Sequence, residues 1–290
     1  WHSAMASSIL GNASSILLYI RISFICWFRY AWLMLCCAIA WLSSRRLKPT
    51  SGTYHKIVMI GDGFAFGYGD YVTMGQTPIG LSRRILIEMS KNKWVGSQAW
   101  RVVNKGVYHT TSNDWQPKKE LFEKTFASPM IKDCEVVILM VGSMDRRYGK
   151  KPYSIASTVA NIKFLAGALR RQNKIVIVAT LPVKGRSLKE KDLLLKTNVV
   201  LEEWLEKVSS KPLDGKGRII KGPQLHSRKY MSPILYSEDK VHFNSTGYKM
   251  VAADFGVILK NVMRQIEWKE WKPRLAEKYS DDSGVPAVQK

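Results

Sequence analysis

The apolar positions divide the chain into a long apolar segment near the N-terminus and a region where short apolar runs alternate with amphipathic stretches. Four of these runs are rich in β-branched residues and are typical of buried parallel strands. They lie at 56–61, 100–104, 134–141 and 174–180. The amphipathic stretches predict helices near 77–91, 115–126, 153–172, 187–209 and 246–266. This order predicts an α/β fold, a three-layer sandwich around a mostly parallel, flavodoxin-like sheet that binds ligands at the carboxyl ends of its strands.

The N-terminal apolar segment runs from Ile16 to Leu42 and exceeds the roughly 20 residues that a membrane-spanning helix needs. We therefore expect one transmembrane helix near Ile22–Leu42. Arg29 would lie within the hydrocarbon, at a cost of about 2.5–3.5 kcal/mol unless a partner such as a neighbouring subunit compensates it. A cleaved signal peptide is the alternative, with a small-residue site at Ala38–Ala40, but the region before that site is too long.

Basic residues mark the side of the membrane on which the domain should lie. Arg45, Arg46 and Lys48 follow the apolar segment, whereas only Arg21 precedes it closely. The positive-inside rule therefore places the domain on the cytosolic, matrix or stromal side. Cys134 is the one cysteine outside the apolar segment, so no disulfide framework can form in the domain. We expect the mitochondrial inner membrane, with the endoplasmic reticulum as the alternative.

Most of the formal net charge of +22 belongs to the domain, because most of the Lys and Arg residues lie there, although the acidic residues do too, the first of them being Asp62. Such an excess favours anionic partners, such as acidic lipid headgroups or acidic protein surfaces. No nucleic-acid recognition motif and no zinc-type spacing of Cys and His are present, so we expect neither nucleic acid nor a cofactor. The predicted parts are an extension at 1–15, an anchor at 16–44, a linker at 45–55, a domain at 56–266 and a charged tail at 267–290.

Two motifs at the ends of the domain carry a resemblance to a known family. The turn after the first strand reads Gly61-Asp62-Gly63, followed by Phe-Ala-Phe-Gly. Near the C-terminus, Asp239-Lys-Val-His242 precedes the Gly-Tyr pair at which the last helix is predicted to begin. These motifs resemble the first block, Gly-Asp-Ser-Leu, and the last block, Asp-x-x-His, of the SGNH (GDSL-like) hydrolases. Gly63 stands at the position of the family's serine.

Two further segments resemble the middle blocks of the same family. The segment Val103–Thr111 resembles the second block, with His109 at the position of the oxyanion glycine. The segment Val141–Asp145 resembles the third block, Gly-x-Asn-Asp, with Met144 in place of the asparagine. All four blocks follow predicted strands or precede the last helix, in the family's order. The resemblance spans Lys56 to about Ile266 and implies an SGNH-type sheet.

The resemblance implies a catalytic role for each of these positions. In the family a serine attacks an acyl carbonyl, the histidine takes its proton, the aspartate orients that histidine, and glycine and asparagine donors hold the oxyanion. Gly63 has no side chain to attack with, a loss that costs about a millionfold in rate. Met144 cannot donate a hydrogen bond, which costs roughly a hundredfold to a thousandfold. We expect the His109 ring to fill part of the pocket, and Asp239 and His242 to be a vestigial pair.

These substitutions predict an inactive SGNH-like protein that serves as a structural or interaction subunit of a membrane protein complex, held by one transmembrane helix. One alternative is an esterase or lipid acyl hydrolase in which His242 activates water without a serine. A second is a module that binds lipid or an acyl chain without turnover.

Two other chemistries use residues of the same motifs. Asp62, His109, Asp239 and His242 have the composition of a metal site but lack metal-ligand spacing. The glycines after the first strand invite a dinucleotide-binding interpretation, but Phe66 stands where the third glycine is needed. We therefore expect no bound metal.

Overall fold

The computed structural model describes residues 55–72, 79–91, 100–149, 152–183, 188–209 and 217–282, together with Phe24, Trp27, Phe28, Ala31, Trp32 and Leu35. The chain forms two compact units, Trp1–Thr50 and Ser51–Lys290. The six described residues of the first unit are all helical and exposed. The remainder of the predicted anchor, including most of Ile22–Leu42, lies outside the described residues. Among the described helices, none combines the length and the apolar character needed to span a membrane.

The second unit is built on a sheet of five parallel strands. They are β1 (His55–Gly61), β2 (Trp100–Asn104), β3 (Val136–Met140), β4 (Ile175–Val178) and β5 (Ile219–Lys221). Their spatial order is β2-β1-β3-β4-β5, and every pair is parallel. This is the flavodoxin-like order, so the predicted α/β class and parallel sheet are confirmed. The sequence pattern missed β5, because three residues are too few to establish a periodicity.

Eight α-helices are described in the second unit, besides two short 3-10 helices at Arg228–Tyr230 and Pro233–Leu235. The α-helices are α1 (Gly63–Phe66), α2 (Tyr68–Val72), α3 (Gly80–Ser90), α4 (Glu120–Phe126), α5 (Asp145–Tyr148), α6 (Ile155–Arg171), α7 (Leu188–Ser209) and α8 (Ser245–Asp282). The five predicted helices correspond to α3, α4, α6, α7 and α8. The last of these is longer than predicted, because it passes residue 266 and continues through much of the predicted tail.

The extension of α8 has a tertiary cause. The indole Nε1 of Trp100 donates to Glu267 Oε1 at 2.7 Å. Farther along the helix, a Glu270 carboxylate oxygen lies 3.6 Å from Nε2 of His55, at the start of β1. These contacts hold the helix against the amino ends of β1 and β2, where the sequence has too few apolar residues to predict it.

The core consists of one apolar cluster on each face of the sheet. Alternate side chains of β1 point to opposite faces, so Ile57 and Met59 join one cluster and Val58 and Ile60 join the other. Helices α3 and α8 cover the first face, and α4, α6 and α7 cover the second. The predicted three-layer arrangement is therefore present, and the loops at the carboxyl ends of the strands remain available for a site.

Candidate functional site

The turn after β1 is held tightly against β3. Gly61 has a φ of +146°, and a Cβ added there would lie 1.8 Å from the carbonyl oxygen of Met140. Asp62 donates its backbone N–H to that oxygen at 3.0 Å. The Asp62 carboxylate caps α1 by accepting from the N–H of Phe64 at 3.0 Å, and it also accepts from the Ser143 hydroxyl at 2.5 Å. Asp62 therefore ties the first block to the third.

Asp239 and His242 form the hydrogen-bonded pair that the resemblance implies. Nδ1 of His242 lies 2.5 Å from Asp239 Oδ2. Asp239 Oδ1 also accepts from the Ser237 hydroxyl at 2.6 Å and from the N–H groups of Val241 and His242 at 2.9 Å each. Burial raises the pKa of Asp239, but the hydrogen bond and charge of His242, then Ser237 and Val241, outweigh it and hold the pKa well below its usual range.

The imidazole of His242 lies directly against the backbone of Gly63. A Cβ added to Gly63 would come within 2.6 Å of His242 Nε2 and within 3.0 Å of Tyr108 Cδ2. His242 is only 1% exposed. Its ring contacts Phe64 and Tyr68, with centroid distances of 4.8 and 5.0 Å. The imidazole thus takes up space that the side chain of a nucleophile would need.

A pair of tyrosines covers the histidine. Tyr68 follows the first block and Tyr108 lies in the second, and their rings stack with centroids 4.1 Å apart and planes 6° apart. Tyr108 lies 5.9 Å from the His242 ring and 3.8 Å from the ring of His109. His109 itself is exposed, with a φ of +63°. The ring that covers His242 is that of the neighbouring residue Tyr108, and the expectation that His109 fills part of the pocket stays a prediction. Sequence reasoning passed over both tyrosines, although each stands within or beside a recognised block.

The third block is built into the core. Met144 is fully buried, in the same apolar cluster as Phe64, and its side chain offers no donor for an oxyanion. Asp145 accepts from the N–H and hydroxyl of Ser112 at 2.7 and 2.5 Å and from the hydroxyl of Thr158 at 2.7 Å. Burial raises the pKa of Asp145, and these hydrogen bonds only partly offset it. Asp145 therefore joins the residue that follows the second block to α6.

A small cavity lies beside the first and third blocks. Its volume is about 10 Å³, and Asp62, Ser143 and Thr180 are among its lining residues. A space of this size is near the minimum for one water molecule. It is far too small for the acyl group of an ester.

A hydrogen-bonded set of a hydroxyl, an imidazole and a carboxylate lies nearby, and the sequence pattern did not predict it. The hydroxyl of Thr180, just after β4, is 3.0 Å from Nδ1 of His226, whose Nε2 is 3.3 Å from a carboxylate oxygen of Glu202. Thr180 is only 2% exposed, so no substrate reaches its hydroxyl. Burial lowers the pKa of His226, opposed by Glu202 and assisted by Lys221. These three side chains connect the end of β4, α7 and the loop after β5. No short sequence motif predicts this arrangement.

The candidate metal ligands of the sequence do not assemble into a metal site. Asp62 accepts hydrogen bonds from the Ser143 hydroxyl and from the backbone of α1, and His109 is exposed to solvent beside the tyrosine pair. Within the described ranges, no group of three or more His, Cys, Asp or Glu is arranged to hold a metal ion.

The pair of Asp239 and His242 should contribute to stability. We expect Asp239→Asn to lower the free energy of unfolding by about 1–2 kcal/mol at pH 7, because the histidine and two N–H groups lose a charged acceptor. The folded-state pKa of Asp239 lies below its unfolded value near 3.9, so its contribution is complete above about pH 4 and is lost as pH falls further. Urea unfolding of the full chain should therefore show a difference that narrows below about pH 4.

The matched control for this measurement is Asp133→Asn. Asp133 pairs with Lys56 at 2.6 Å, but its side chain is 67% exposed. We expect a loss below about 0.5 kcal/mol for such an exposed pair. Equal losses from the two variants would contradict a structural role for Asp239.

Known structures share this fold, although no family model and no curated protein matches the sequence. An acetyl esterase mutant with an acetate ion is 13% identical, with 73% of this chain and 99% of that chain covered and a TM-score of 0.57. A carbohydrate esterase family 3 protein from Talaromyces cellulolyticus is 13% identical, with the same coverage and a TM-score of 0.56. A lipase/acylhydrolase from Enterococcus faecalis is 17% identical, with 73% and 96% covered and a TM-score of 0.50. The chain therefore has the SGNH (GDSL-like) hydrolase fold, and these identities show the fold alone.

Proposed function

We propose that this chain is a membrane-anchored SGNH-like protein that does not hydrolyse esters and serves as a structural or interaction subunit of a membrane protein complex. The observation that carries the proposal is the contact between Gly63 and the imidazole of His242. The position that supplies the nucleophile in the family has no side chain, and the histidine lies too close to it for one to be added without movement.

The surroundings of His242 support the same proposal. A general base must reach the proton of a reacting group in an open site. Here the imidazole is buried beneath Tyr68 and Tyr108, and the Met144 side chain lies in the core. The esterase alternative, in which His242 activates water, needs room for an ester beside the imidazole. The packed rings make that alternative the weaker one.

The N-terminal segment supports the membrane part of the proposal. Phe24, Trp27 and Leu35 are helical and 65%, 65% and 51% exposed, and large apolar side chains on the outside of a helix are favourable in lipid. The basic residues that follow the segment favour a domain on the cytosolic, matrix or stromal side, and the mitochondrial inner membrane is the proposed location. The basic excess of the domain suits acidic partner surfaces or anionic lipid.

A hydrolysis assay tests the proposed inactivity. We expect the full chain to hydrolyse p-nitrophenyl acetate and p-nitrophenyl butyrate no faster than His242→Ala does, and both at the rate of protein-free buffer. His226→Ala serves as the matched control, because it alters a histidine that does not touch Gly63. Turnover that disappears only in His242→Ala would overturn the proposal and favour the esterase alternative.

Fractionation of native membranes tests anchoring and assembly. We expect the chain to stay with membranes in alkaline carbonate and, after mild detergent, to migrate well above its own mass of 33.0 kDa. A variant without residues 1–44 should appear in the soluble fraction. Recovery of the full chain in the carbonate supernatant, or as a monomer in detergent, would contradict the anchor or the subunit role respectively.

A further inference from the structure

A groove of about 450 Å³ lies along β5, at the edge of the sheet, away from the Gly63 and His242 contact. Its walls are β5, the last turn of α7 and the middle of α8. Its apolar lining includes Ile220, Ile258, Val262 and Val257, and the Val257 side chain is 69% exposed. The volume falls within the roughly 300–1,000 Å³ of sites that bind small molecules.

Arg218 lies in this groove and has no carboxylate partner among the described residues. Arg218 Nη2 donates to Gln265 Oε1 at 2.5 Å, but its Nε is buried and has no acceptor among the described residues. Burial lowers the pKa of Arg218, and no carboxylate within the described ranges opposes that effect. A half-buried guanidinium in this state pays a desolvation cost that an anion would offset.

The other cations of the groove differ in how far their charge is already compensated. Arg170 uses Nε to donate to the carbonyl of Gly217 at 3.1 Å, and it has no ion pair in the described part of the chain. Lys221 instead pairs with Glu202 at 2.9 Å and with Glu206 at 3.2 Å. The positive charge that remains available therefore belongs to Arg218 and Arg170, next to an apolar wall.

We propose that this groove binds a single-chain amphiphile with an anionic head, either a carboxylate or a phosphate. The Nε–H and one Nη2–H of a guanidinium lie on the same edge, so one planar or tetrahedral anion can accept from both. At Arg218 that anion replaces the Gln265 amide, a side chain on the outer face of α8. The aliphatic chain lies along Ile220, Ile258 and Val262 and leaves water in doing so. This inference is independent of the proposed function.

Binding of small soluble probes tests the proposal. The full chain in neutral detergent micelles is dialysed against octanoate or octyl phosphate, with empty micelles as the blank. Octanol lacks the charge, and acetate and inorganic phosphate lack the chain. We expect octanoate, octyl phosphate or both to bind at least about tenfold more tightly than these three, because head and chain contribute together. A preference between the two anions identifies the head.

Variants locate the binding in the groove. Arg218→Gln should weaken binding at least about tenfold, and Arg218→Lys less, because a point charge replaces a two-donor edge. Val257→Asp should also weaken it without a folding defect, because this side chain is largely exposed. Arg228→Gln, an exposed arginine outside the groove, is the matched control and should not change it. Anions that bind no better than octanol, or equal binding by wild type, Arg218→Gln and Val257→Asp, would overturn the proposal.

Discussion

Gly61→Ala should prevent the second unit from folding, or destabilise it by roughly 3 kcal/mol or more. The added Cβ would lie 1.8 Å from the carbonyl oxygen and 2.5 Å from the carbonyl carbon of Met140. Both atoms are backbone, so no side chain can rotate away. The φ of +146° is also a conformation that alanine rarely adopts. Since Gly61 pairs with Met140 in the register of β1 and β3, relief would require those strands to separate.

The measurement is urea unfolding followed by far-ultraviolet circular dichroism, with Gly167→Ala as the matched control. Gly167 lies inside α6, and a Cβ there would meet only Arg171 Nη1, at 3.6 Å. Alanine should therefore stabilise that helix by roughly 0.5–1 kcal/mol. A Gly61→Ala protein that unfolds at the wild-type midpoint would show that the turn after β1 is not as close to β3 as described.

Gly63→Ser should not create an esterase, and it should destabilise the second unit by about 2–3 kcal/mol. Its Cβ would come within 2.6 Å of His242 Nε2 and within 3.0 Å of Tyr108. The imidazole cannot move away freely, because Asp239 holds Nδ1 at 2.5 Å and Phe64 packs against the ring. The restored hydroxyl would therefore displace the base that it needs.

A double-mutant cycle separates this crowding from other effects of serine. In a His242→Ala background the nearest obstacle is gone, so the same Gly63→Ser change should cost less than about 1 kcal/mol. Unfolding midpoints of the four proteins measure their stability, and their rates of p-nitrophenyl acetate hydrolysis measure their activity. A Gly63→Ser protein that is as stable as wild type and hydrolyses the ester would show that the site retains room for the reaction.

The strands and the four motif blocks could be predicted because their signals are local. The β-branched runs at β1, β3 and β4 predict the sheet. The resemblance at Gly63 and His242 identifies the edge of the sheet at which the motif blocks meet. The tyrosine pair could not be predicted in the same way. Tyr68 begins α2 and Tyr108 lies in the loop after β2, and neither segment has a sequence pattern that predicts the stacking of their rings. For the same reason the sequence could not show that the ring over His242 belongs to Tyr108, the neighbour of His109.

Long-range contacts account for the other differences. The extension of α8 depends on Trp100 and Glu267, which are far apart in sequence and form one hydrogen bond. The strand β5 is too short for a pattern, and the groove beside it exists only once that strand lies next to α8. The Nε of Arg218 has no acceptor in the described part of the chain, and this is likewise a property of the fold, because basic residues in a sequence alone are usually solvated.

The length of α8 has a mechanical consequence. The helix begins at Ser245, three residues after His242, and its 38 residues span about 57 Å, past the amino ends of β1 and β2. A helix of this kind moves as a rod up to any kink, and the proline at position 273 lies beyond the contact with His55. A force on the helix at a point before that proline is therefore transmitted along α8 to the loop that carries the His242 imidazole. Displacement of the helix ahead of Pro273 should therefore loosen the buried His242 without any molecule entering its site.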